Sequence, residues 1–148
     1  MMRTLMLSSF FLFTLFSSCK KDQSELDAQI ITDYIASYQL DAQEKENGLY
    51  IVVEEEGNGV FPTLDSEVTV QYKGYLSNDK VFDQTDGSPV TFPLNAVIQG
   101  WQIGLPYFSE GGSGKLLIPS ELGYGSQKAG DIPANSVLIF DIQLDSVH

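Results

Sequence analysis

Glu67-Val68-Thr69-Val70-Gln71-Tyr72-Lys73-Gly74-Tyr75-Leu76 is the stretch on which the fold turns. Val68, Val70 and Tyr72 share one side of an extended chain, and Thr69, Gln71 and Lys73 share the other. That period of two belongs to a strand with one buried face. Upstream, Leu49-Tyr50-Ile51-Val52-Val53 reads as a second strand, closing in the acidic run Glu54-Glu55-Glu56 and the turn Gly57-Asn58-Gly59. Downstream, Val81-Phe82-Asp83 and Val90-Thr91-Phe92 are short strand candidates, and residues 115–118 and 136–144 read as strands. Between them, residues 96–105 carry Val97, Ile98 and Trp101 at helical spacing, which predicts one short helix. The sum is an α+β fold, an antiparallel sheet of about five strands with a short helix against one face.

Before this block lies a helical pattern. Leu26, Ile30, Ile31, Tyr34, Ile35 and Tyr38 recur at intervals of three and four, which places them on one helix face. Ser24 is the expected cap, with Asp27 in a capping-box-like position, and Gly48 is the expected stop. Such a face packs against the domain that follows, or spaces it from a membrane; pairing with a second copy as a homodimer is the alternative. Further upstream, Arg3 is followed by an apolar run from Leu5 to Phe16, too short for a bilayer, which takes about 20 residues. It fits the apolar region of an export signal. Phe16-Ser17-Ser18-Cys19 resembles a bacterial lipobox, in which the cysteine is lipidated and becomes the new N-terminus. Phe16 is a looser match than the usual Leu. Cys19 is the sole cysteine, so it has no disulfide partner, and lipidation gives it a use. An ordinary peptidase cut nearby, or an uncleaved anchor, are the competing readings.

Composition narrows the function. A chain of 148 residues normally forms one domain and can bury a core without disulfides. Twenty carboxylates stand against eight basic side chains, a balance that repels phosphate backbones and argues against nucleic acid as a partner. The single histidine is the last residue, His148, and reads as a frayed terminus. No Ser/His/Asp set, zinc-type cysteine spacing or Walker glycine loop is present. Triad chemistry and histidine-based metal sites are therefore set aside, and neither a metal nor a cofactor is expected.

Four blocks, in order, go further. Residues 68–83 (VTVQYKGYLSNDKVFD), 97–105 (VIQGWQIGL), 114–125 (GKLLIPSELGYG) and 132–144 (IPANSVLIFDIQL) resemble the signature strands, pocket-floor helix, Tyr-Gly turn and closing strand of FKBP-type peptidyl-prolyl cis-trans isomerases. The resemblance spans about residues 62–145 and implies an FKBP-like sheet wrapped on the short helix, preceded by the N-terminal helix. It divides the chain into a lipoprotein signal peptide (1–18), a lipidated tether and helix (19–48) and an isomerase domain (49–148).

The resemblance also implies roles. Trp101 is the expected floor under a prolyl ring, with Tyr72, Phe82, Val97, Ile98 and Phe140 as walls. Phe92 and Ile132 are expected substrate contacts. Tyr124 donates its hydroxyl to a substrate carbonyl, the Ile98 N–H donates to a neighbouring one, and Asp83 at the rim orients a ring hydroxyl or ligand. Implied partners are proline-containing polypeptides, macrolide inhibitors and, through Cys19, a membrane. The expected location is the bacterial envelope, on the periplasmic or surface face of the outer membrane. Three departures stand out: Val90 where many members carry an aromatic wall, Ala134 where a second proline is common, and a slender loop at residues 126–131. A binding module that holds proline segments without turnover, and an assembly factor that acts through its helix and anchor, are the alternatives to an enzyme.

Overall fold

A computed structural model of the chain describes residues 22–148. The expected export signal and the lipidation candidate Cys19 lie outside the described residues. Helix α1 (Gln23–Tyr38) leads into a short strand β1 (Gln43–Glu44), then β2 (Tyr50–Glu55), β3 (Glu67–Leu76), β4 (Val81–Gln84) and β5 (Val90–Pro93). Helix α2 (Gln99–Gly104) precedes β6 (Ser113–Ile118) and β7 (Leu138–Val147).

All seven strands join one antiparallel sheet in the order β1-β2-β6-β7-β3-β4. β5 adds to the other half of β3, pairing Val68 with Phe92 and Val70 with Val90. The antiparallel sheet with a short helix against it is as expected. Beyond the segments read as strands, the structure adds β1, two exposed residues with no alternation to betray them.

Alternation along β7 explains the layering. Leu138, Phe140, Ile142 and Leu144 face the α2 side, with Leu116, Ile118, Val68, Val70, Leu105 and Phe108. Ile139 and Val137 face the opposite side, where they meet Leu117, Val52 and Tyr75 beneath Ile31 and Tyr34 of α1. Helices therefore cover both faces. Gly100 and Gly104 let α2 lie close to β6, because a Cβ at either would run into Ile118 or Leu116.

Several local expectations are corrected. Asp22, not Ser24, caps α1: its carboxylate accepts the Ser24 N–H at 3.0 Å, a role aspartate fills as well as serine. Asp27 closes no capping box; it is fully buried and turned toward the sheet domain. The helix stops at Tyr38, where Gln39 adopts a left-handed conformation (φ 53°) and its N–H and that of Leu40 close the last turn. Gly48 instead serves a tight turn before β2, with Asn47 also at positive φ. The apolar face of α1 is divided: Ile31 and Tyr34 are buried, while Leu26, Ile30 and Tyr38 are exposed. Finally, His148 is not frayed. Its backbone exchanges two hydrogen bonds with Glu67, at 2.8 and 3.1 Å, and its ring nitrogen lies 3.0 Å from the Ser146 hydroxyl.

Candidate active site

The site is built where β3, β4, β5 and β7 present aromatic rings to α2. The expected helix over residues 96–105 is shorter and starts later. Residues 94–96 form one 3-10 turn, Val97 and Ile98 are extended, and α2 begins at Gln99. Ile98 ends the extended stretch, and its carbonyl accepts the N–H groups of Trp101 and Gln102 at 3.0 and 3.2 Å. No described residue accepts the Ile98 N–H itself. Gln102 folds back, donating its amide to the Val97 carbonyl at 2.7 Å, and so fixes the same segment from the other side.

Trp101 is the hub. The Phe140 ring stands nearly perpendicular to it at 5.2 Å, the Tyr72 ring does the same at 5.4 Å, and Phe92 is tilted against it at 5.6 Å. Phe82 meets Phe140 edge-on at 5.5 Å. Edge-to-face pairs of this kind are preferred by the ring quadrupoles and hold each other's orientation. Gly74 permits the Phe82–Phe140 pair, since a Cβ there would sit 2.6 Å from one ring and 2.7 Å from the other.

These rings enclose an open cavity of about 870 Å³. The ten residues singled out from the sequence (Tyr72, Phe82, Asp83, Phe92, Val97, Ile98, Trp101, Tyr124, Ile132 and Phe140) all line it. Trp101, Phe140 and Ile132 are buried, whereas Tyr124 is 42% exposed at the mouth. Asp83 accepts the Tyr72 hydroxyl at 2.6 Å. Burial first, and that bond second, push the Tyr72 phenol up from its ordinary 10.0 to about 12, so it stays a neutral donor across the physiological range.

Other lining residues, Val90 apart, were not singled out individually. Ala96 comes from the 3-10 turn and carries no sequence signal. Ala129, Gly130 and Asp131 belong to the slender loop. Ala129 and Ile132 exchange two backbone bonds around Gly130, whose φ of +56° suits glycine; that glycine was the available clue. Val90, one of the expected departures, also lines the cavity and is exposed.

Chemically, the lining contains no serine, cysteine, histidine or lysine among the described residues. It offers an aromatic floor, a phenol hydroxyl at the mouth, an open backbone N–H and two carboxylates, Asp83 and Asp131. Fold and cavity together define an open pocket with an aromatic floor and a polar rim. A family model described as FKBP-type peptidyl-prolyl cis-trans isomerase matches residues 59–145, and the chain belongs to that family. It is 48% identical over 101 residues to the FKBP-type peptidyl-prolyl cis-trans isomerase FkpA of Buchnera aphidicola, a match that covers 66% of this chain and 40% of that one. This chain thus spans less than half of that relative's length. The crystal structure of FkpA from Escherichia coli superposes with a TM-score of 0.75 at 38% identity, covering 86% of this chain and 61% of that one. A peptidyl-prolyl cis-trans isomerase from Pseudomonas syringae pv. tomato superposes with a TM-score of 0.72 at 31% identity, covering 84% and 95%. The fold is FKBP-like.

Proposed function

We propose that this protein accelerates rotation about X-Pro peptide bonds in exported polypeptides. The rotation barrier is about 18–20 kcal/mol, because twisting the amide sacrifices resonance. No covalent bond changes, so a thousandfold acceleration needs only about 4 kcal/mol of preferential stabilisation. The observation that carries the reading is the cavity itself: a buried tryptophan ringed by Tyr72, Phe92 and Phe140, with hydrogen-bond donors and, among the described residues, no serine, cysteine, histidine or lysine in the lining.

In this reading the prolyl ring rests on Trp101, walled by Tyr72, Phe82, Val97, Ile98 and Phe140 and touched by Phe92 and Ile132. The twisted amide has lost dipolar character, so an apolar wall favours it over the planar form and keeps water from stabilising the latter. The Tyr124 hydroxyl and the Ile98 N–H donate to carbonyls beside the proline. Asp83 keeps the Tyr72 ring in place. We further propose that the chain is exported and lipid-anchored at Cys19, probed by labelling with a radioactive fatty acid and by loss of label in Cys19→Ala. Among the described residues no helix is long and apolar enough to cross a membrane, so an anchor there has to come from elsewhere.

The test is isomerisation of a proline-containing tetrapeptide by the purified protein, with and without a macrolide inhibitor. Turnover blocked by the macrolide is the expected result. A folded sample without turnover sinks the enzyme and leaves a proline-binding module.

A further inference from the structure

We infer that Asp27, on the N-terminal helix, is a positioning residue for Tyr124 of the cavity, acting through the backbone of Ser120. The inference deepens the reading above and rests on it. Asp27 is 0% exposed. Its Oδ1 accepts the Gln23 side-chain amide at 2.7 Å, and its Oδ2 accepts the Ser120 N–H at 2.7 Å, 93 positions away in sequence. Neither donor is charged. A carboxylate buried without a cation is costly, and packing alone is served as well by an apolar side chain.

What Asp27 holds gives the reason for keeping it. The Ser120 carbonyl accepts the N–H groups of Gly123 and Gly125, at 3.0 and 2.8 Å, the two residues that flank Tyr124. The Gly125 carbonyl in turn accepts the Asn135 N–H at 2.8 Å. Ser120 is thus gripped by the helix at its N–H and grips the tyrosine's turn with its C=O. Its hydroxyl takes no part, being buried with no partner among the described residues. The link is therefore backbone geometry, set by one helix carboxylate.

The test is a double-substitution cycle read as tetrapeptide isomerisation. Asp27→Ala strands the Ser120 N–H; Asp27→Asn keeps an acceptor for it; Ser120→Ala removes the idle hydroxyl alone. Asp27→Ala is expected to lower kcat/KM about tenfold, the scale on which a stranded buried donor acts. Asp27→Asn and Ser120→Ala are expected to stay within about twofold, and in a Tyr124→Phe background Asp27→Ala adds less than about twofold, because the hydroxyl being positioned is gone. Equal losses in both backgrounds overturn the inference, since general loosening acts with or without the hydroxyl. So does full activity of Asp27→Ala. Asp27→Ser, whose hydroxyl is too short to reach Ser120, replaces Asp27→Ala where the latter does not fold. Amide hydrogen exchange supplies an arm that needs no turnover. Faster exchange at Gly123 and Gly125 with β7 unchanged sustains the inference, and unaltered exchange overturns it. A wild-type protein without turnover removes the isomerase reading alone, and the exchange result then decides this one.

Discussion

At Gly74 a missing methyl group shapes the cavity. Phe82 and Phe140 meet across the space a Cβ would occupy, and Phe140 in turn props Trp101. Gly74→Ala is therefore expected to destabilise the fold by about 1–3 kcal/mol, the range of an overpacked core. The same change is expected to lower kcat/KM by at least about tenfold, as the rings leave their seats. Paired measurements of urea unfolding and tetrapeptide turnover check both. Equal turnover with lowered stability shows instead that the ring pair is mere filling. The pocket residues were legible in the sequence because most of them sit in ordered motif blocks, each residue type tied to a fixed neighbour. Ala96 and Asp131 were not, because a wall that contributes a small side chain or a loop edge leaves no compositional trace.

Helix α1 shows where element-scale reasoning holds and where it slips. Periodicity located the helix, yet it placed Leu26 and Ile30 on the same face as Ile31 and Tyr34. A helix face is broad enough to hold six apolar residues, while the sheet beneath accepts a narrower stripe, centred on Asp27, Ile31 and Tyr34. Asp27 in that stripe could not be read from hydropathy at all, since its partner, the Ser120 N–H, is supplied by a distant turn. Ile31→Ala is expected to cost about 2–5 kcal/mol; Leu26→Ala, exposed on the same helix, is expected to stay within about 0.5 kcal/mol. Chemical denaturation of the two variants checks the division. The strand boundaries slipped by a few residues for a related reason: β2 runs on into Glu54 and Glu55, and β7 to Val147. Ladder hydrogen bonds extend a strand as far as a neighbour exists, regardless of whether the side chains look apolar.

For the whole molecule, four titrating groups of the sheet act in one direction, among them Tyr50, raised by burial first. Tyr72 is raised to about 12, by burial and then by Asp83. Tyr75 is raised further, again by burial first and then by its hydrogen bonds. At Lys115 burial works downward, but the bond to Asp141 and the nearby charges outweigh it and the net shift is upward. A folded-state value above the unfolded one gives stability that is complete below the unfolded value and lost as pH climbs through the folded one. The urea midpoint is therefore expected to hold level from neutrality to about pH 10, then fall steadily, with a shallower fall in Tyr72→Phe. A fall beginning well below that point counts against these assignments. The strand order carries a further consequence, one of timing. β7, the last of the described strands, lies in the middle of the sheet, between β6 and β3, and it brings Phe140. Until residues 138–147 have been synthesised, the earlier strands are two unjoined ribbons and the aromatic nest lacks a wall. The joined sheet and the closed aromatic cavity therefore depend on the same ten residues, so a chain cut before residue 138 is expected to lose both at once rather than one after the other.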